Sequence, residues 1–173
     1  MANKAFLVLG NQLFDPKLLG KRPGTIFFLR EDTELCVHFK YHKLKIALFL
    51  NAMRSYADEL RAAGHEVIYE ELEKSKKTYE QHLADFLRRE KIKEIEFYEI
   101  EDKFFETRIL ELFSELGVAA KVLPSPMFLT SREQFKDYLG KYKKPFMKNF
   151  YELQRRRLKV LVDEKGKPTG GQW

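Results

Sequence analysis

Residues 4–10, with the sequence KAFLVLG, decide the fold, because this apolar run is short and ends at a glycine. Such a run is typical of a strand that is buried on both faces of a parallel sheet. After a loop rich in Gly and Pro, residues 25–29 (TIFFL) have the same character and predict a second strand. Between about residues 39 and 63, apolar side chains recur at spacings of four and three, which predicts an amphipathic helix that ends at Gly64.

The alternation then continues along the chain. Further strands are predicted at residues 66–69, 94–98 and 118–123, with helices at 78–89 and 104–116. Strands that alternate with helices indicate parallel βαβ crossovers. We therefore predict an α/β fold with a Rossmann-like, doubly wound, five-stranded parallel sheet. Ligands of such sheets bind beyond the carboxyl ends of the strands, where the strand order reverses.

After the fifth strand the pattern changes to two helices, at residues 131–140 and 147–161. Thr130 or Ser131 can cap the first of them, with Glu133 or Gln134 completing a capping box. The tail, residues 163–173, is rich in Gly and Pro and is typical of a linker. We predict two parts: residues 1–125 as the α/β domain, and residues 126–173 as a helical extension with the start of a linker.

The composition limits the class of protein. No apolar run approaches the roughly 20 residues that span a bilayer, and Met1-Ala2-Asn3-Lys4 does not begin a signal peptide. The single cysteine, Cys36, excludes an internal disulfide and fits a reducing compartment. These features predict a soluble, cytoplasmic domain with no membrane partner.

The positive charge is concentrated in one stretch. Residues 131–160 contain ten Lys or Arg and three acidic residues, so this stretch has a net charge of +7 and the rest of the chain about −1. Such a distribution indicates a polyanionic partner or another part of the same polypeptide. A solvated helix face explains it equally well. Arg155, Arg156 and Arg157 point in different directions around a helix, and we expect them to be largely uncompensated within this chain.

The turn after the first strand, Gly10-Asn11-Gln12-Leu13, is the first candidate for chemistry. Its single glycine argues against a dinucleotide fingerprint and against a P-loop, which need more than one. The two amides can donate and accept hydrogen bonds together, which suits the edge of a heterocycle. A role in capping the loop is the alternative.

Two other clusters are weaker candidates. His38 and His42 are four residues apart and near Cys36, but no further ligand stands at metal-site spacing, so we predict no metal. The acidic run Glu99-Ile100-Glu101-Asp102 precedes a helix, where carboxylates favour the dipole, so we predict capping and no catalytic residue.

Four segments, in order along the chain, resemble the prokaryotic iron–sulfur photolyase and cryptochrome family. Gly10–Leu13 is similar to its G-D-Q-L turn, and residues 41–60 are similar to its HKxK…AMR…A-x-E-L helix. Residues 128–135 resemble its F-L-S-S…F segment. Phe150-Tyr151, Arg155-Arg156 and residues 167–173 together resemble its F-Y-x-x-M-R-R…P-V-G-G-x-W run.

The resemblance implies the amino-terminal domain of a light-driven DNA repair or light-sensing flavoprotein, holding an antenna chromophore of the lumazine type. FAD and an iron–sulfur cluster are expected only in a carboxyl-terminal flavin domain, the partner of this one, and DNA binds through the parent protein. The implied antenna site consists of Gly10, Asn11, Gln12, Leu13, Arg30, Glu31 and Phe49. The implied nucleic-acid or interdomain residues are Lys148, Arg155, Arg156 and Arg157.

A second hypothesis comes from the charge distribution. A free-standing nucleotide-binding α/β module would bind nucleic acid through its basic carboxyl-terminal helix. Residues 165–173 distinguish the two: they connect to a further domain in the first hypothesis and form a flexible tail in the second.

Overall fold

The structure is a computed structural model that describes residues 3–73, 75 and 77–171. Gln172 and Trp173, which contribute to the last of the family-like segments, lie outside the described residues, as do Met1 and Ala2.

One parallel sheet organises the described part of the chain, in the strand order β3-β2-β1-β4-β5. Its strands are β1 (Lys4–Leu7), β2 (Thr25–Arg30), β3 (Glu66–Glu70), β4 (Glu94–Tyr98) and β5 (Ala119–Leu123). In register, Phe6 of β1 lies opposite Phe27 of β2 and Glu96 of β4. The chain adds strands on one side of β1 and then crosses to the other side, so the strand order reverses between β1 and β4. The predicted fold is confirmed.

The helices connect and cover these strands. They are α1 (Thr33–Val37), α2 (Lys43–Ala62), α3 (Tyr79–Arg89), α4 (Lys103–Glu115), α5 (Arg132–Gly140) and α6 (Met147–Leu158), and a 3-10 turn spans Pro16–Leu19. The long helix begins at Lys43 and not near residue 39, because Nδ1 of His42 accepts a hydrogen bond from the Leu44 N–H as the amino-terminal cap. Likewise, α6 ends at Leu158 and not at Leu161, because Lys159 adopts a left-handed backbone conformation (φ 55°).

The core lies on both faces of the sheet. Alternate side chains of a strand point to opposite faces, and β1 follows this rule: Ala5 and Leu7 belong to one apolar cluster and Phe6 to another. The first cluster is completed by residues of α3 and α4, among them Phe86 and Phe113. The second contains Tyr56, Ala57 and Leu60 of α2. Helices therefore cover both faces, as a doubly wound sheet requires.

The chain divides into two compact units, residues 1–127 and 128–173. In the second unit, Tyr138 is buried, packs against Phe150 and donates its hydroxyl hydrogen to the Phe146 carbonyl over 2.7 Å. The helix α5 begins with a capping box formed by Ser131 and Gln134, one of the predicted combinations. The described part of the tail folds into a tight turn, in which the Asp163 N–H donates to the Lys167 carbonyl over 2.8 Å.

None of the helices in the described residues is both long enough and apolar enough to cross a membrane.

Candidate functional site

A cavity of about 460 Å³ lies in the first unit, at the carboxyl ends of the strands. Its walls come from the turn after β1, the segment after β2, the loop after β4, and helices α2, α3 and α4. Apolar side chains dominate the lining, among them Leu9, Leu35, Phe49, Met53, Phe104 and Phe105. Both the size and the location are typical of a small-molecule site in an α/β sheet.

Four of the seven predicted cofactor residues line this cavity, namely Gly10, Asn11, Arg30 and Phe49. The other three, Gln12, Leu13 and Glu31, are not part of its lining. The structure therefore brings four of the predicted residues together at one cavity, whereas Gln12 and Glu31 have contacts elsewhere.

Gly10 matters because of a close approach between the turn and helix α2. A Cβ atom at this position would lie 2.5 Å from Cζ of Phe49 and 2.6 Å from Sδ of Met53. Real Cβ atoms do not approach other atoms so closely, so only glycine allows these two side chains to close the cavity wall against the turn.

Gln12 joins two loops. It is only 2% exposed, and its Nε2 donates to the Glu99 carbonyl over 2.8 Å and to Oε2 of Glu101 over 3.2 Å. The Oγ of Ser125, beyond β5, donates to the other Glu101 oxygen. The side chain thus ties the turn after β1 to the loop after β4, the structural role that was the alternative to ligand binding.

The acidic run after β4 is divided between two functions. Asp102 caps α4, because its Oδ1 accepts hydrogen bonds from the N–H groups of Phe104 and Phe105. Glu99 and Glu101 accept hydrogen bonds that hold neighbouring loops. The capping prediction is confirmed for Asp102.

Arg30 is a buried cation at the cavity wall. Its Nη1 lies 2.7 Å from Oε2 of Glu70 and its Nη2 lies 3.3 Å from Oε1 of Glu73. The charge of this guanidinium is therefore balanced within the protein.

Glu31 supports the loop after β3. Its buried carboxylate accepts hydrogen bonds from Arg54 (2.7 and 3.1 Å), from the Tyr69 hydroxyl (2.6 Å) and from the Leu72 N–H (2.7 Å). Burial alone would raise the pKa of Glu31, but these hydrogen bonds outweigh it and hold the pKa below its ordinary value. The group is a structural anion, fully engaged outside the cavity.

The two histidines near Cys36, His38 and His42, lie at the ends of different helices. His38 follows α1 at its carboxyl end, whereas His42 caps α2, so the two side chains do not share a helix face. Within the described residues, no group of three or more His, Cys, Asp or Glu side chains is placed to hold a metal ion. Burial, together with Asp32 and Glu31, raises the pKa of the Cys36 thiol, which keeps the thiol in its less nucleophilic form.

Helices α3 and α4 supply cavity residues that the sequence analysis missed. Tyr79 is the first residue of α3, and Phe104, Phe105 and Arg108 lie in the first turns of α4. The signal was available, since helices of a doubly wound sheet begin at the edge where the preceding strands end. Phe104 is 87% exposed, so it stands at the open side of the cavity.

In the second unit, the three consecutive arginines have partners, and the expectation that they are largely uncompensated is wrong. Arg155 is only 8% exposed, and it donates to the carbonyls of Val160 and Leu161 just beyond α6. Arg156 pairs with Glu152, four residues earlier, over 3.2 Å. Arg157 donates to the Leu129 carbonyl over 2.5 Å. For Arg155 the reason is local, because carbonyls at a helix end lack helical partners and a long cationic side chain reaches them. Arg157 instead reaches a carbonyl that is 28 residues away along the chain.

Fold and cavity together define a doubly wound α/β domain with a cavity at the strand-order reversal. The sequence model of the deoxyribodipyrimidine photo-lyase-related proteins matches residues 6–173, and the chain belongs to that family. It is 26% identical, over 96% of its length, to a (6-4) photolyase of Agrobacterium fabrum (strain C58 / ATCC 33970). The chain spans about a third (34%) of that relative's length.

Proposed function

We propose that this chain is the amino-terminal, chromophore-binding domain of a photolyase-like flavoprotein that repairs DNA or senses light. The observation that carries the proposal is the cavity at the strand-order reversal in a member of a photolyase-related family. Its volume suits a two- or three-ring heterocycle. Phe49 offers an apolar face for such a ring, and Gly10 lets this side chain pack directly against the turn after β1.

The ligand that fits this proposal best is an antenna chromophore of the lumazine type. Aromatic and apolar side chains supply most of the cavity surface and polar groups the rest, which is how proteins bind planar heterocycles. An iron–sulfur cluster held by four cysteines does not fit this chain, whose only cysteine is Cys36. We assign the cluster, FAD and the repair chemistry to a further flavin domain of the same polypeptide.

The test is a titration of the purified protein with 6,7-dimethyl-8-ribityllumazine and with riboflavin, followed by fluorescence polarisation. The Phe49→Trp variant adds volume to a cavity wall, so we expect it to lose most of the binding and to keep the circular dichroism spectrum of the wild type. Phe135→Trp, the same substitution in α5 of the second unit, is the matched control and should bind as the wild type does. Failure of the wild type to bind either ligand would overturn the proposal.

The basic stretch supports a second proposal, contact with nucleic acid in the parent protein or in this chain alone. The side chains of Lys148 and Arg156 are 64% and 48% exposed, although both lie near Glu152. Residues 141–146 add three exposed lysines and the exposed rings of Tyr142 and Phe146. Cations interleaved with aromatic rings suit the binding of single-stranded nucleic acid, because the cations attract the phosphates and the bases stack on the rings.

This proposal is tested by the salt dependence of affinity for a labelled oligonucleotide. Each phosphate contact that is removed lowers the slope of log K against log salt by about 1. We expect the double substitution Lys148→Glu with Lys144→Glu to lower this slope by about 2, the change for two phosphate contacts. The double substitution Lys4→Glu with Lys17→Glu, in the first unit, should leave the slope unchanged. Equal slopes for both pairs would contradict the proposal.

A further inference from the structure

Tyr79 is a polar side chain in the cavity wall that the fold does not use. Its side chain is 5% exposed, and its ring packs edge-on against Phe105 with 5.5 Å between ring centroids. Its hydroxyl is buried, and no group in residues 3–73, 75 and 77–171 forms a hydrogen bond with it. The residue lines the cavity beside Leu9 and Phe105.

A buried hydroxyl without a partner is rare, because its hydrogen bonds to water are lost and nothing replaces them. The packing of Tyr79 needs only the ring, and phenylalanine would supply it. Its partner therefore lies outside this chain, in an acceptor carried by a ligand of the cavity; because the hydroxyl oxygen is closed to water in the free protein, the Tyr79 side chain must turn toward the cavity to meet that acceptor.

The charges around the cavity limit the chemistry of that partner. Both lining arginines are already paired, Arg30 with Glu70 and Glu73, and Arg108 with Glu80. Three carboxylates, those of Asp32, Glu34 and Asp102, also belong to the lining. Acidic groups therefore outnumber the paired cations, and a phosphate would meet repulsion without a free guanidinium to offset it.

We propose that the cavity takes an uncharged, planar heteroaromatic ligand whose ring carbonyl or ring nitrogen accepts a hydrogen bond from the Tyr79 hydroxyl. This inference rests on the proposed chromophore site and adds to it the donor and the charge class of the ligand. Burial, followed by the influence of Asp32, raises the pKa of Tyr79 well above its ordinary value, so the phenol is a neutral donor at any working pH.

Riboflavin and FMN provide the test, since they share one ring system and differ by a phosphate. Affinities are measured by quenching of flavin fluorescence in wild type, Tyr79→Phe and Tyr56→Phe. We expect the wild type to bind riboflavin at least about threefold more tightly than FMN. Tyr79→Phe should weaken riboflavin binding by about 3- to 10-fold, the loss expected for one hydrogen bond. Tyr56, another buried tyrosine, belongs to the core cluster on the α2 face and not to the cavity, so Tyr56→Phe should bind as the wild type does.

A second readout separates ligand recognition from a structural role. Because the hydroxyl has no partner in the described protein, Tyr79→Phe should keep or raise the melting temperature of the free protein. The absorption band of bound riboflavin should also shift when the hydrogen bond to the ring is lost.

Each outcome decides one claim. If Tyr79→Phe is markedly less stable, the hydroxyl has a partner in the free protein and the inference is wrong. If riboflavin binds the wild type and Tyr79→Phe equally, the donor is misassigned but the chromophore site stands. If FMN binds as tightly as riboflavin, the charge class is wrong, and if neither binds, the site itself fails and the inference with it.

Discussion

At Gly10 the backbone of the first turn and two side chains of α2 occupy adjoining space, and a methyl group has no room there. We predict that Gly10→Ala pushes the ends of Phe49 and Met53 away from the turn. Overpacking of this kind lowers the free energy of unfolding by about 1–3 kcal/mol, and the displacement of these two side chains should also weaken flavin binding. Chemical denaturation and the riboflavin titration measure the two effects.

Gly140→Ala is the matched control, because a Cβ at that helical position meets no atom within 4 Å. It should leave flavin binding unchanged and raise stability slightly, as alanine favours a helix over glycine. Equal behaviour of the two variants would show that the turn is not tightly packed.

A second prediction at the level of single residues concerns Glu31. Glu31→Gln keeps the shape of the side chain but removes the charge that accepts hydrogen bonds from Arg54, Tyr69 and Leu72. We expect the free energy of unfolding at neutral pH to fall by about 2 kcal/mol, a typical loss for a buried charge-assisted network. Since the folded-state pKa of Glu31 is lowered, this stabilisation should be present above pH 4.5 and disappear as the pH falls through the folded pKa.

The surface carboxylate Glu71 supplies the comparison, because its mostly exposed side chain lies 3.6 Å from the same Arg54. Glu71→Gln should change stability by less than about 1 kcal/mol. A similar loss in both variants would mean that Arg54, and not burial, decides the effect.

Side-chain roles were the hardest part to predict. Position along the chain predicted that Gly10, Arg30 and Phe49 lie close together, and the structure places all three on the wall of one cavity. Position could not show that Gln12 and Glu31 point into loops, because their partners Glu101 and Tyr69 are distant in sequence.

At the scale of elements, α3 contains a histidine that makes stability depend on pH. Burial, followed by the influence of Arg30, lowers the pKa of His82 from its ordinary value of 6.5. The unfolded chain therefore binds a proton at a pH where the folded chain does not, so stability falls as the pH drops through 6.5. We predict a declining free energy of unfolding from about pH 7 to about pH 5, measured by urea denaturation, and a flatter profile for His82→Leu.

The pH range in which His82 changes the free energy of unfolding lies above the range in which Glu31 does, so the two contributions can be measured separately. An unchanged slope in His82→Leu would assign the decline to other groups.

Elements were predicted where a physical signal is strong. Apolar runs predicted all five strands, including β5, whose side chains are mostly exposed. The starts of α3 and α4, which follow the caps Thr78 and Asp102, were predicted to within one residue. The short helix Thr33–Val37 was missed, because five residues are too few for a periodic pattern. The start of α2 was placed too early, because Phe39 and Tyr41 continue the apolar character of the helix beyond its cap.

At the scale of the molecule, the hydrophobic core belongs to the first unit. Among the described residues, every buried apolar side chain but Tyr138 lies before residue 128. We predict that a chain shortened to residues 1–127 unfolds cooperatively, with a Tm within about 5 °C of the full chain, which corresponds to about 1 kcal/mol. Thermal melts followed by circular dichroism provide the measurement.

The complementary fragment, residues 128–173, has too small a core to fold well alone. It should melt without a cooperative transition. A sharp transition in this fragment, or its loss in residues 1–127, would show that the core does not determine the stability of the two units.

The cavity is bounded by α2, which packs on one face of the sheet, and by α3 and α4, which pack on the other. A ring bound there, as proposed, would be held between helices that pack on both faces of the sheet, which restricts its reorientation. Its transition dipole would therefore keep one direction in the frame of the domain. Fluorescence of the bound ring should lose polarisation only as fast as the domain tumbles, and the orientation for energy transfer to a second chromophore would be set by the sheet.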